Sequence, residues 1–422
     1  MWFQTGVKAL SSLVECRQNK PSVVIVGAGI MGASAAYACK KQNLPFTLIE
    51  SGHSAITSSW GESRILRLSY GSALYVNMMK RSYEIWSSLE KDAGQQLMIQ
   101  KPVLSVFDET DRGSMECMQE QLDAFSQTGV EHSVVKDASA LNFKLHKNEI
   151  GIIQNEGACA YATEALCALR DIAAPHMLDE RIVKIDQTRK ELVAESGKRI
   201  PYEKLILCAG AWTNKLLVDS GLSPMPYVVS AEQFVYYDFA DPKANANLPI
   251  ILEGRKNPNG RLGGVYAMPH IDVPGIKIGM HCNGQLVRNA DFPIGPNEER
   301  RLSSLPNERL EFHPEIPLDI DPHMEAQTRS FVEAHMPALD ASKVSSYGRC
   351  LYQACTLPDG RFLIGVHPEN PDIVVACGFT GEGFKFAPVI GEFCVYLAFG
   401  EGAAVAQPVF EPMIHAFRLD RS

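Results

Sequence analysis

A few short stretches hold most of the residues able to do chemistry. GRCLYQACTLPDG (348–360) carries Cys350 and Cys355, followed by a Pro-Asp-Gly turn. A free cysteine is most often a small buried core residue. WGESRILR places Arg64 and Arg67 three apart, on one face if the segment is helical. Arginine is also the best fork for a carboxylate. GVYAMPHIDVPGIKIGMHC (264–282) predicts two strands around a HIDVPG turn. In the second strand Ile276, Ile278 and Met280 alternate with Lys277, Gly279 and His281. One face is apolar, so the other offers an ammonium and an imidazole flanking a glycine that permits close approach. CGFTGEGFKFAP (377–388) is a glycine-rich turn, with Gly378, Gly381 and Gly383, running into a helix near Lys385. A helix N-terminus beside a lysine suits an anion. Each pattern also has a plain structural reading: a solvated basic face, a half-exposed strand, a left-handed glycine turn.

The element that must position them begins at SVVIVGAGIMG. Gly27, Gly29 and Gly32 form G-x-G-x-x-G directly after a β-branched strand and at the start of a helix. The first glycine permits a tight turn, the second lets backbone approach a pyrophosphate, and the third lets the helix pack on the strand. Glu50 ends the next strand, PFTLIE, 18 residues past Gly32, where a carboxylate can accept from a ribose hydroxyl. Strand, helix, spacing and carboxylate agree on a dinucleotide site. The motif does not separate NAD from FAD.

The 422 residues suffice for two domains, and 45% hydrophobic with 21% charged residues is ordinary for a globular protein. A formal net charge of −9 argues against nucleic acid or an anionic membrane surface as a partner. The 11 cysteines are odd in number and lack CxxC pairs or zinc-like histidine partners, which predicts neither a disulfide framework nor a metal centre and fits a reducing compartment. The longest apolar stretch is broken by glycines and reads as strand plus helix, not a membrane span. MWFQTGVKALSSLVECRQNK lacks the features of a secretory leader, and DRS is not the usual peroxisomal address. The expected compartment is the cytoplasm, with an organellar leader left open.

Strands at KLILCAGAW (204–212) and PDIVVACGF (371–379) return to the same α/β theme. The expected fold is α/β: a Rossmann-like dinucleotide-binding domain of the glutathione-reductase type in segments 21–90, 145–215 and 345–422. It is interleaved with an α+β substrate domain, 91–144 and 216–344, built on a mixed or antiparallel sheet. Residues 1–20 form an N-terminal extension.

Taken in order, VVIVGAGIMG, SSWGESRILR, KLILCAGAWT, VYAMP, GIKIGMH, GRCLY and CGFTGEGFKFAPVIGE resemble the monomeric sarcosine oxidase family, from about residue 21 to the end. That family also holds pipecolate and N-methyltryptophan oxidases. The resemblance implies FAD on Gly27, Gly29, Gly32 and Glu50, with Gly381 and Gly383 beside it. It implies a thioether from Cys350 to the flavin 8α-methyl, and Lys277 as the residue that activates O2. Arg67 and Lys385 match the pair that grips the substrate carboxylate, Arg64 lies beside the flavin ring, and Tyr266 and His281 line the pocket. The implied activity is oxidation of a secondary amino acid to an imine that hydrolyses, with O2 reduced to H2O2 by a monomer.

Two departures concern substrate. Trp60 and Glu382 stand where the family usually has histidine, which points to a larger, or even cationic, amine substituent than methyl. Two extra residues also lie between Cys350 and the following FLI strand. Alternatives remain: an FAD dehydrogenase using a quinone or flavoprotein acceptor, a flavin-binding protein without turnover, and, last, an NAD-dependent dehydrogenase.

Overall fold

The computed structural model describes residues 22–52, 58–241, 248–256, 262–271, 275–295, 312–400 and 404–421. The 1–20 extension and the centre of the HIDVPG turn lie outside them. Val23–Val26 is buried along its whole length because it runs between two parallel neighbours, Phe46–Glu50 and Lys204–Leu207. A strand covered on both faces needs a continuous β-branched run. Asn370–Cys377 and Met177–Asp179 extend this parallel sheet, and Leu363–His367 closes it as an antiparallel edge.

Helices Ile30–Lys41 and Gly383–Phe399 pack on one another beside the sheet. Their contact is close at Gly391, where a Cβ would lie 2.5 Å from the Ser34 main chain. The helix that carries Lys385 is therefore anchored directly to the helix of the glycine motif.

The larger, eleven-stranded sheet is built around Tyr227–Tyr237. On one edge it pairs antiparallel with Ser346–Cys355, on the other with Ile276–His281. Glu149–Gln154 and Ser346–Cys355 belong to this sheet, whereas the expected segments 145–215 and 345–422 grouped them with the nucleotide fold. The Tyr227–Cys355 ladder runs ten pairs without a bulge through Cys350, so the apparent insertion is not a kink between Cys350 and Cys355.

A small third sheet changes the reading of the arginine pair. Ser63–Leu66 is a strand, paired antiparallel with Ala158–Tyr161, not a helix. No helix among the described residues is long and apolar enough to cross a membrane.

Gly32 is the tightest glycine of the nucleotide fold, with a Cβ placed 1.9 Å from the Gly27 carbonyl oxygen. Gly32→Ala must separate helix from strand, and we expect a loss of roughly 1–3 kcal/mol in urea unfolding. An unchanged midpoint contradicts this packing.

Candidate functional site

One cavity of about 1180 Å³ runs from the glycine motif and Glu50 to Lys277, Cys350 and Lys385. At the first end Gly27 adopts φ +95°, and a Cβ there would lie 2.4 Å from the Cys208 carbonyl oxygen. Only glycine fits that turn. The Glu50 carboxylate accepts from the Ala28 N–H at 2.8 Å and from Ser51 N–H at 3.0 Å.

Arg170, from helix Ala162–Ala173, fixes the same carboxylate. Its Nη2 lies 3.0 Å from Glu50 and its Nε donates to Ala28 O at 2.7 Å. Ser59 Oγ accepts from Ile30 N–H at 3.0 Å, in the first turn of the motif helix. Sequence reading missed both, since neither adjoins the motif. Trp60 stays off the cavity wall; its ring lies under the Arg170 guanidinium, 5.2 Å away.

At the far end Arg64 is locked by carbonyls: Nη1 donates to Ser63 O at 2.8 Å, and Nη2 to Ser58 O at 3.0 Å and Trp60 O at 2.7 Å. Lys277 is 3% exposed, lies 3.9 Å over the Phe234 ring, and donates to Ser63 O at 3.4 Å. Burial, reinforced by the Arg64 charge, pushes its pKa down to about 7. Cys350 lines the same space; burial pushes its thiol up, against the pull of Arg64 and Lys277. Gly279 makes room for a protein group, since a Cβ there would lie 2.5 Å from the Tyr266 hydroxyl.

The third cluster gathers Arg67, Lys385, Glu382, His281 and Tyr352. Arg67 Nη2 pairs with Glu382 Oε1 at 2.7 Å, and the two side chains are only 11% and 19% exposed. Arg67 also donates to Ser69 O and stacks 4.0 Å over Tyr70. Burial would raise the Glu382 pKa, but Lys385, Arg67 and His281 together hold it below the usual carboxylate range. Its charge is thus already spent on Arg67, which removes the support for a cationic substituent.

Lys385 is held by its own main chain, since its carbonyl accepts from Ser82 Oγ at 2.7 Å and Trp86 Nε1 at 3.2 Å. Its ammonium donates to Glu382 O at 3.3 Å, and burial depresses its pKa to about 7. Burial also lowers His281, leaving a neutral imidazole at pH 7.

Gly381 and Gly383 line the cavity, yet their bare backbones admit protein groups: Cβ atoms would lie 2.0 Å from the Tyr352 ring and 2.7 Å from Met31 Cε. Tyr352 is a pocket residue that sequence reading passed over. Its position two after Cys350 on one strand, hence on the same face, was the available signal.

Away from the cavity, His146, Glu149 and His335 bring ligand atoms within 4.8 Å of one another. The His335 Nδ1 that lies 3.6 Å from Glu149 is already bonded to Lys144 O at 2.9 Å.

Residues 22–397 match the family described as FAD dependent oxidoreductase. The chain is 29% identical to the peroxisomal sarcosine oxidase of Mus musculus, over 89% of this chain and 91% of the relative. It is 28% identical to the monomeric sarcosine oxidase of Bacillus sp. (strain NS-129), with 89% and 92% covered. Among solved structures, NikD, an amino acid oxidase of nikkomycin biosynthesis, superposes with a TM-score of 0.73 at 18% identity, covering 95% of this chain and 99% of that one. L-proline dehydrogenase from P. horikoshii gives 0.71 at 19%, with 94% and 98% covered. These two show the shared fold.

The residues fit the cofactor. Gly27 and Gly29 line the cavity at the N-terminus of the motif helix, where they would meet a pyrophosphate; Glu50, fixed beside them, would meet the ribose, and the cavity continues to the cation cluster. The chain belongs to the FAD-dependent oxidoreductase family.

Proposed function

We propose that the chain oxidises the C–N bond of a secondary amino acid (N-methyl, cyclic or otherwise N-substituted) to an imine that hydrolyses in water, with O2 reduced to H2O2. The observation that carries this reading is the group of basic side chains, Lys277 and Lys385 buried and Arg64 and Arg67 half-buried, lining one cavity with Cys350. Relatives named sarcosine oxidase and N-methyl-L-tryptophan oxidase support it. FAD, when bound, takes two electrons from the amine and supplies them to oxygen.

The chain's own residues do the rest. Lys385, beside the Arg67–Glu382 pair, meets the carboxyl end and so orients the α-carbon. The surrounding positive charge favours the neutral amine, the form from which hydride or its equivalent departs. Tyr266 and Tyr352, whose pKa values burial raises, stay protonated as hydrogen-bond donors. His281 stays neutral and lines the pocket. Lys277 places a charge without competing water where oxygen gains negative charge.

Cys350 would tether the flavin by a thioether to its 8α-methyl; burial raises its thiol pKa, and Arg64 and Lys277 pull it part of the way back toward the thiolate. The nucleotide end and the larger sheet divide the work between a cofactor domain and a substrate domain. No disulfide joins any of the ten described cysteines, which fits a reducing compartment such as the cytoplasm; the chain is read as a monomer there.

Anaerobic addition of N-methyl amino acids and cyclic imino acids should bleach the flavin absorption; if none does, the reading fails. Lys277→Met should leave that bleaching intact and slow reoxidation by O2 about 10²–10³-fold. Wild-type reoxidation should also slow as pH rises through about 7, where Lys277 loses its charge, and the variant should lack that step. Equal reoxidation rates remove Lys277 from the oxygen half-reaction. Acid precipitation should leave yellow colour in the wild-type pellet and release it from Cys350→Ser. A yellow variant pellet rules the tether out.

A further inference from the structure

Of the two cations at the carboxyl end of the pocket, one is already taken. Arg67 gives one arm to Glu382 and another to Ser69 O, and its face to Tyr70. A substrate carboxylate seeking Arg67 competes with a carboxylate tethered in place, and displacing it strands a mostly buried charge. The Arg67–Glu382 pair carries no net charge. Lys385, the remaining cation, has no carboxylate hydrogen bond and gives up its proton near neutrality. This end of the pocket therefore becomes uncharged at little cost.

Beyond the pair, Tyr70, Ser105 and Gln121 line the same cavity and are buried, at 4%, 2% and 6% exposure. Their Oη, Oγ and Nε2 atoms have no hydrogen-bond partner among the described residues, so a rotation of these side chains toward the cavity would offer partners to a neutral hydrogen-bonding ligand. An amide supplies both donor and acceptor, where a carboxylate only accepts and an alkyl chain does neither.

We propose that Glu382 determines specificity by standing in for the substrate carboxylate on Arg67, so that the preferred substrate is a secondary amino acid whose carboxyl group is masked as an amide. This rests on the amine-oxidase reading of the same site. The amide oxygen accepts from Lys385 when that side chain is protonated, and the neutral amide brings no second carboxylate to the Arg67–Glu382 pair. Oxidation is unchanged in its atoms: the C–N bond loses two electrons and two protons to give the imine, and O2 takes them to give H2O2.

The test compares matched pairs on the holoenzyme: N-methylglycine with N-methylglycinamide, and proline with prolinamide. Wild type should favour the amides at least about tenfold in kcat/KM, and Glu382→Gln, which frees Arg67, should shift the ratio toward the acids by a similar factor. Perturbation of the flavin spectrum by propionate and propionamide reads the same preference without turnover. A wild-type preference for free acids overturns the proposal and needs no variant. An acid-to-amide ratio unchanged by Glu382→Gln also overturns it. If propionamide outbinds propionate but no amine bleaches the flavin, Glu382 still stands in for a ligand carboxylate on Arg67, but the oxidase reading falls and the substrate assignment falls with it. If amines bleach it with acids preferred, only the specificity proposal falls.

Discussion

Basic side chains held where water is scarce are the constraint on which the site depends. Lys277, at 3% exposure, and Lys385, at 7%, each have a main-chain carbonyl where an ammonium would ordinarily have a hydration shell. Removing water from an ammonium disfavours its charge, and both are driven down to about 7. Such groups respond strongly to any negative charge that arrives or develops beside them. The fold maintains this arrangement by drawing each cation from a different element. Lys277 comes from the eleven-stranded sheet, Arg64 from the small sheet, and Lys385 from the first turn of a helix clamped to the glycine-motif helix. The cavity exists because these three layers meet.

The nucleotide end follows the opposite electrostatic rule. There the key group is a carboxylate, and Arg170 with three backbone N–H groups holds Glu50 in place. A fixed carboxylate at one end and dehydrated cations at the other give the cavity a direction. That polarity suits a dinucleotide whose ribose lies far from its reacting ring.

Local features were legible in the sequence. The glycine motif, its strand and helix, and Glu50 depend on neighbours within about one βαβ unit, and they fold as their spacing implies. The alternation at Lys277 and His281 likewise survives as a strand. What failed depended on partners far along the chain. Arg64 sits in a strand because Ala158–Tyr161 pairs with it, and nothing in WGESRILR announces that partner. Gly279 and Gly381 invite a ligand in the sequence, yet tyrosines 266 and 352 fill their space. Trp60 faces Arg170 and Glu382 pairs with Arg67, contacts that span 110 and 315 residues. Tertiary pairing, not local pattern, decided what those side chains do.

The role proposed for this arrangement of cations is to make oxygen the electron acceptor. Its most direct test is the stoichiometry of aerobic turnover, with dissolved O2 and peroxide followed together after an N-substituted amino acid is added. One H2O2 should form for each O2 consumed. Amine oxidation that proceeds only with an added dye or quinone, without uptake of O2, contradicts it.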